Sequence, residues 1–284
     1  MGVIIAKSVS EACAVLAENP ATTVLAGGTD LMVQVNKGTS SFENVVDLTR
    51  IAELKKWVIR DDEILLGSGI SYADLSKPEL AAILPALAQA SRTVGSPQIR
   101  NAGTLGGNLA TASPAGDTIP VLVAMNAILK LRSSTGQREI PVDEFVTGVK
   151  SNALNAGEII ESVRIPVLEG PQEFLKVGIR NAMVISVASL ALLVDAQGKS
   201  LRVGVGSVSP VPFRASSAEE FIEEEFDWEN YSQLPEKVKS KFSKLVADST
   251  KPIDDHRGTA EYRKHSVAVL AKRALERVCV GTES

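Results

Sequence analysis

The stretch TLGGNLATASPAGD, at residues 104–117, decides the fold of this chain. A shorter stretch, VLAGGTDL at residues 24–31, also contains a pair of adjacent glycines, and it continues an apolar run that predicts a buried strand. Neither stretch contains a lysine or an arginine. Paired glycines lack a Cβ atom, so they adopt positive φ and let backbone N–H groups approach a ligand closely. The two glycine segments therefore favour a nucleotide whose phosphates are bound by main-chain amides.

The polar side chains of these segments also suit a dinucleotide. Hydrogen-bond donors are available on Thr29, Thr104, Asn108, Thr111 and Ser113. The carboxylates of Asp30 and Asp117 only accept, so they suit sugar hydroxyls better than phosphates. A single glycine pair would be explained equally well by a plain turn or a close packing contact. The sequence has neither a G-x-G-x-x-G fingerprint nor a Walker lysine, which argues against the two commonest nucleotide folds.

Composition excludes several functions. With 284 residues the chain is long enough for about two domains, and its net charge of -4 argues against a nucleic-acid partner. No apolar run reaches the length of a membrane span and no secretory signal is visible, so we expect a cytoplasmic protein. The two cysteines, Cys13 and Cys279, lie at opposite ends of the chain and its only histidines, His256 and His265, near the C-terminus, so we expect neither an iron–sulfur cluster nor a structural zinc. We expect both to be small apolar residues on helices.

Hydrophobic periodicity predicts an α+β chain. A capping box at Ser8 and Glu11 predicts a first helix that ends near Asn19. The segment 95–117 is expected to be long and irregular, and an acidic run over 219–229 to be a solvated helix face and linker. Strands are predicted over 22–26, 44–48, 57–59, 64–66, 127–132, 138–141, 158–165, 173–178, 184–194 and 201–208. Helices are predicted over 79–92 apart from Pro85, 119–125, 217–225, 235–247 and 259–278.

The two glycine segments resemble the FAD loops of the medium, flavin-carrying subunit of the xanthine dehydrogenase and carbon monoxide dehydrogenase family of molybdenum hydroxylases. The resemblance extends across nearly the whole chain. It implies an FAD-binding domain over residues 1–168, in two subdomains split near 50–56, of the type found in vanillyl-alcohol oxidases and cell-wall-precursor reductases. A small flavoprotein domain of the carbon monoxide dehydrogenase type, with a three-stranded sheet and helices, would follow over residues 172–284.

The same resemblance implies which residues bind FAD. Ile160 corresponds to an apolar residue that packs on the flavin ring, and Lys176 to a basic residue that approaches the ring from the C-terminal domain. An ordinary core residue and an exposed strand lysine are the alternatives for these two positions. The pyrophosphate would lie against Ala26, Gly27, Gly28, Thr29 and Asp30, flanked by Leu25 and Leu31, with further contacts at Thr104, Gly107, Asn108, Thr111, Gly116 and Asp117. No catalytic acid or base and no metal ligand is assigned to the chain.

In function, the resemblance implies an electron-transfer subunit without complete activity of its own. Its partners would be a large molybdenum-cofactor subunit and a small subunit with 2Fe-2S clusters, assembled as a dimer of heterotrimers, and NAD or oxygen would be the acceptor. A self-contained flavin-dependent reductase or oxidase and a non-catalytic nucleotide-binding assembly module are the two alternatives.

One residue departs from the family pattern. Many relatives have aspartate at the position of Val184, so any polar role there is in doubt. The substrate of the holoenzyme stays open among purines, N-heterocycles, aldehydes and carbon monoxide.

Overall fold

The chain alternates short strands and helices around three apolar cores. Its structure is a computed structural model that describes residues 2–38, 42–229 and 233–280. The strands are β1 Gly2–Ile5, β2 Thr23–Leu25, β3 Asn44–Asp47, β4 Trp57–Arg60, β5 Glu63–Gly67, β6 Ile128–Arg132, β7 Gln137–Pro141, β8 Val146–Gly148, β9 Ser151–Asn152, β10 Ile159–Pro166, β11 Gln172–Val177, β12 Ala188–Asp195, β13 Ser200–Gly206 and β14 Phe213–Arg214. The helices are α1 Val9–Glu18, α2 Leu31–Asn36, α3 Tyr72–Leu75, α4 Pro78–Ile83, α5 Pro85–Arg92, α6 Pro97–Ala102, α7 Leu105–Thr111, α8 Thr118–Ala124, α9 Val142–Phe145, α10 Ser216–Glu225, α11 Glu236–Asp248 and α12 Ala260–Val280, and residues Ala52–Lys55 form a 3₁₀ turn.

The first sheet is parallel, with strand order β1-β3-β2, and packs against α1. The predicted start of α1 is confirmed, because the Glu11 amide donates to Ser8 Oγ at 3.1 Å. The Glu11 carboxylate reaches back to accept from the Lys7 amide at 2.8 Å, which completes a capping arrangement. Strand β2 ends at Leu25, so the first glycine segment leaves the sheet at a strand end.

The second sheet has five antiparallel strands in the order β4-β5-β10-β6-β7. Both predicted hairpins, β4 with β5 and β6 with β7, are confirmed. Alternate residues such as Ile64, Leu66, Leu129 and Leu131 are fully buried, as the period of two requires for a sheet with one face against helices. The predicted subdomain split near 50–56 falls between β3 and β4.

The segment 95–117 is not irregular, and that prediction was wrong. It forms α6 and α7, because hydroxyl caps start both helices: the Ile99 amide donates to Ser96 Oγ and the Gly107 amide to Thr104 Oγ1. The low helix propensity of the glycines is overridden by these caps and by tertiary packing. The predicted helix over 79–92 is divided into α4 and α5 at Leu84, since Pro85 lacks an N–H and restricts the preceding residue.

The third sheet is antiparallel, with order β11-β12-β13-β14. The three predicted strands form it, and the two-residue β14 adds an edge. Strand β12 begins at Ala188 and not at residue 184 as predicted. Its apolar run is continuous because both faces are buried: Ala191 and Leu193 belong to the core shared with the five-stranded sheet, whereas Leu190 and Leu192 belong to the core beneath α10–α12.

The prediction that the acidic run 219–229 is solvated was wrong at Glu219. This side chain is buried, accepts from the Val203 amide at 2.6 Å and pairs with Arg214 at 2.8 Å. A buried carboxylate needs such partners because desolvation penalises the charged form. Glu219 therefore ties α10 to β13 and β14. The cysteine prediction is confirmed, since Cys13 and Cys279 are buried on α1 and α12.

Strand β13 and helix α8 touch through Gly204, and this contact joins the two halves of the chain. A Cβ atom at Gly204 would overlap the carbonyl oxygen of Pro120. We expect Gly204→Ala to lower the free energy of unfolding by about 1–3 kcal/mol, because overpacking forces the backbones apart. Urea denaturation measures this loss. Gly136→Ala is the matched control, since a Cβ there meets nothing within 4 Å, and equal stability of the two variants would contradict the prediction.

Candidate functional site

A cleft of about 620 Å³ lies where the first sheet, the five-stranded sheet and α7 meet. This volume falls in the usual range of small-molecule sites. The structure brings eleven of the fifteen predicted site residues to its wall: Ala26, Gly27, Gly28, Thr29, Asp30, Leu31, Thr104, Gly107, Asn108, Thr111 and Ile160. Ile160 is at once a residue of the buried core and part of this wall.

The two glycine segments lie against each other because of Gly27. A Cβ atom there would overlap the carbonyl oxygen of Ala102 and lie 2.8 Å from the Cα of Gly103. Gly28 has a different requirement, since its φ of +69° is in the left-handed region that glycine adopts without strain. Close approach at one glycine and backbone conformation at the next thus explain the pair.

The two segments differ in which amides they can offer. In α7 the first-turn amides are already used, because Leu105 donates to the Ile70 carbonyl, Gly106 to the Ser68 carbonyl and Gly107 to Thr104 Oγ1. Among the described residues, the amides of Gly27, Gly28, Thr29 and Asp30 donate to no protein acceptor. The turn at residues 27–30 is consequently the part of the cleft wall best able to bind phosphate oxygens through main-chain amides.

Four predicted site residues, Leu25, Gly116, Asp117 and Lys176, do not line the cleft. The Lys176 side chain is only 10% exposed, contrary to the exposed alternative. Its Nζ donates to Asp117 Oδ2 at 2.7 Å, to the Thr93 carbonyl at 2.9 Å and to the Val184 carbonyl at 3.2 Å. The Ser186 hydroxyl also donates to Asp117. Burial raises the pKa of the Asp117 carboxyl, and Lys176 and Ser186 oppose that shift.

Asn108 connects this buried pair to the cleft. Its Oδ1 accepts from Thr118 Oγ1 at 2.6 Å, and a Cβ on Gly116 would lie 3.1 Å from both polar atoms of its side chain. Gly116 therefore leaves room for Asn108, and Asp117 follows directly behind it.

Tyr72 is a cleft residue that sequence reasoning missed. It lines the wall although it is only 5% exposed. Burial raises the pKa of Tyr72 above its usual range, so the hydroxyl stays protonated. A Cβ on Gly103 would lie 2.6 Å from the Tyr72 ring, which shows how closely α3 packs beneath the second glycine segment.

Two carboxylates in the wall, also missed from the sequence, are held by ion pairs. Glu158 pairs with Arg138 at 2.8 Å, and hydrogen bonds from Arg138 lower the pKa of Glu158. Asp74 pairs with Lys77 at 2.7 Å. Burial would raise the pKa of Asp74, but the bonds from Lys77 and Ser71 outweigh burial and lower it. Neither carboxylate is poised to take up a proton near neutral pH.

Two family models together match almost the whole chain. Residues 1–168 match the FAD binding domain in molybdopterin dehydrogenase. Residues 173–278 match the CO dehydrogenase flavoprotein C-terminal domain. The chain belongs to the FAD-binding medium-subunit family of the molybdenum hydroxylases.

Known relatives of this medium subunit match it along nearly their full length. It is 31% identical over 277 residues to the glyceraldehyde dehydrogenase medium chain of Sulfolobus acidocaldarius, with 96% of each chain covered. It is 28% identical over 280 residues to a putative xanthine dehydrogenase FAD-binding subunit of Escherichia coli, covering 95% of this chain and 93% of the relative. Its fold matches a chain of the Cu,Mo-CO dehydrogenase crystal structure with a TM-score of 0.89 and 26% identity, over 98% and 97% of the two chains.

A fourth similarity concerns the fold alone. A chain of quinoline 2-oxidoreductase from Pseudomonas putida 86 superposes with a TM-score of 0.91 at 22% identity, covering 100% of this medium subunit and 98% of that chain. Among the helices of the described ranges, none combines the length and the apolar character that crossing a bilayer requires. Within the same ranges no group of three or more His, Cys, Asp or Glu side chains could hold a metal ion.

The cleft of this medium subunit fits FAD on two observations. The turn at 27–30 offers free amides to a diphosphate, and the adjoining segment 104–111 offers the Thr104, Asn108 and Thr111 side chains to polar groups of the cofactor. We expect Gly107→Val to lower FAD affinity at least tenfold, because a Cβ there lies 2.9 Å from the capping Thr104 Oγ1 and the branched side chain enters the cleft. Fluorescence titration with FAD measures the loss, and Gly136→Val, at a hairpin tip, is the control. Equal FAD affinity in both variants would refute this placement.

The Asp117–Lys176 pair generates a stability prediction. Replacing Asp117 by Asn leaves the buried ammonium without its counter-charge, which we expect to lower the free energy of unfolding by about 3–5 kcal/mol. Lys176→Met should be milder, since the Asp117 carboxyl can take up a proton, and the double variant Asp117→Asn/Lys176→Met should recover part of the loss. Urea denaturation of the four proteins gives the coupling energy. Additive losses would show that the two groups do not interact.

Proposed function

We propose that this medium subunit is the electron-transfer subunit of a multi-subunit, cytoplasmic molybdenum hydroxylase. Electrons would arrive from iron–sulfur clusters of a small partner subunit, after substrate oxidation at a molybdenum cofactor on a large subunit. They would leave to NAD or oxygen. We propose a dimer of heterotrimers as the assembly, and domain boundaries at 1–168 and 172–284. FAD, when bound, supplies the step between single-electron donors and a two-electron acceptor.

The observation that carries this proposal is the chemistry of the cleft wall. It offers main-chain amides at residues 27–30 for a dinucleotide, but three of its titratable groups, Glu158, Asp74 and Tyr72, are unsuited to acid–base catalysis near neutral pH. Glu158 and Asp74 are held by cations, and Tyr72 keeps its proton. A self-contained oxidase or reductase would need a group able to move a proton at the substrate. Electron transfer through a bound flavin needs none.

The cysteine inventory supports a partner as the electron source. A 2Fe-2S cluster takes four protein ligands, and the chain has only Cys13 and Cys279, both buried and on helices in different cores. Two relatives, from Hydrogenophaga pseudoflava and Afipia carboxidovorans, are carbon monoxide dehydrogenase medium chains, a name that implies companion chains. This chain covers 93% and 94% of those two relatives, so it is proposed to occupy the same place in its own assembly.

Within the cleft, we propose that the diphosphate lies against the turn of residues 26–30 and that Ile160 packs on the flavin ring. Leu25 and Leu31 would support the turn from the sides, and Thr104, Gly107, Asn108 and Thr111 would contact the middle of the cofactor. Gly116, Asp117 and Lys176 remain proposed FAD neighbours. Since Lys176 already donates to three acceptors, it would reach FAD only if that set of bonds rearranged.

Purification with and without partners tests the function. We expect the isolated chain to be yellow with about one FAD per chain, to show at most NADH:dye reductase activity, and to lack hydroxylase activity. Co-expression with neighbouring subunit genes should give a complex that contains molybdenum and iron in addition to FAD. Substrate oxidation by the isolated chain would instead indicate a self-contained flavoenzyme. A colourless chain without affinity for FAD would indicate a nucleotide-binding assembly module of another kind.

A further inference from the structure

Lys150 occupies a backbone conformation that lysine rarely adopts. It is the second residue of the two-residue connection between β8 and β9, where Gly148 pairs with Ser151, and its φ is +55°. A positive φ at this position of a turn normally selects glycine or asparagine, because a Cβ atom is strained there. A strained non-glycine residue is a reason to look for a function, since it persists only where the surrounding structure enforces it.

The connection is fixed to the C-terminal end of α7. The Lys150 amide donates to the Ala112 carbonyl at 3.0 Å, and Asn152 Nδ2 donates to the Ala110 carbonyl at 2.7 Å. Ala112 is itself left-handed, with φ of +46°, and closes the helix. Two residues with positive φ, Ala112 and Lys150, are therefore joined by a hydrogen bond next to Thr111. The β8–β9 connection, held in this way, places Lys150 in the wall of the cleft.

The charges of the cleft wall explain what a lysine could do at this place. The carboxylates of Asp74 and Glu158 are neutralised by Lys77 and Arg138. Across the ranges that the structure describes, the other charged wall residues, Asp30, Lys55 and Lys150, form no ion pair. Two cations against one anion leave the wall with an uncompensated positive charge. Both cations come from outside the glycine segments, which themselves contain none.

We propose that Lys150, together with Lys55, supplies the positive charge that the cleft presents to the diphosphate of FAD. The proposal rests on FAD binding in this cleft, and it adds two residues to that site. Oxidised FAD carries its charge on the diphosphate, so the free amides at residues 27–30 provide hydrogen bonds and the two lysines provide Coulomb attraction. The turn beside α7, in which Lys150 is left-handed, places this residue in the cleft wall.

Replacing Lys150 by glycine separates the charge from the backbone strain. In Lys150→Gly the positive φ no longer meets a Cβ, so we expect the melting temperature of the FAD-free protein to stay level or to rise by about 1–2 °C. The dissociation constant for FAD, measured by quenching of flavin fluorescence, should nevertheless increase about three- to tenfold at low salt. This increase should shrink at 1 M salt, because strong screening there limits electrostatic attraction to a range of about 3 Å. Lys55→Gln should weaken FAD binding in the same salt-dependent way.

Two controls make the outcome decisive. Lys150→Arg keeps the charge and should bind FAD as the unaltered protein does. Lys56→Gln removes the neighbour of Lys55 in the sequence, a lysine that does not line the cleft, and should leave the dissociation constant for FAD unchanged. An unchanged dissociation constant in Lys150→Gly at low salt would overturn the proposal. So would a loss of affinity that is independent of salt and shared by Lys150→Arg, because turn geometry would then be responsible. Failure of the unaltered protein to bind FAD at all would overturn the proposed function first.

Discussion

The cleft exists because the backbone at Gly27 lies directly on the backbone of Ala102 and Gly103, where no Cβ atom could fit. This contact brings together two segments that are far apart in sequence, one leaving the parallel sheet and one starting α7. The first segment then keeps its amides free, while the amides of the second are used to attach α7 to Ser68 and Ile70. The first segment thus keeps its amides available for a ligand, whereas the second is fixed to the residues that follow β5.

The C-terminal half of the chain packs against the helices that hold Asn108 in the wall of this cleft. Lys176, on β11, binds Asp117 and the end of α5, and Gly204, on β13, touches Pro120 in α8. Because β12 contributes alternate side chains to two cores, the third sheet cannot shift without disturbing the helices behind Asn108. The position of Asn108 in the cleft therefore depends on residues from both family-matched parts of the chain. The packing between these two parts would therefore affect how a bound flavin is held.

Local signals predicted most of the elements, and non-local packing accounts for what was missed. The hairpins and α1 follow from alternation of apolar residues and from capping, which act within a few residues. The glycine-rich segment 95–117 was wrongly expected to be irregular because its helices depend on the Ser96 and Thr104 caps and on burial against the sheet. Glu219 was wrongly expected to be solvated, because its partner Val203 lies on another element.

The same reasoning explains which cleft residues the sequence could reveal. The glycine turns were recognisable because the conformational demand is on the glycines themselves. Tyr72, Lys55 and Lys150 reach the cleft only through the way their elements pack, and nothing in their local sequence marks them. Lys150 has one trace in the backbone, a positive φ at a position that favours glycine, but φ is a property of the fold and not of the sequence.

Among the residues that the structure describes, the cleft wall contains free amides, the paired carboxylates of Asp74 and Glu158, and the unpaired charges of Asp30, Lys55 and Lys150. A site that bound a substrate for proton transfer would have to leave one titratable group without a strong partner, at a pKa near neutrality. Here the pKa values of Glu158 and Asp74 are lowered and that of Tyr72 is raised, so all three move away from neutrality. These three groups therefore keep one charge state across the physiological range. Such constancy suits a subunit that holds a redox cofactor and passes electrons, since proton uptake by these three groups then does not change the affinity for the cofactor.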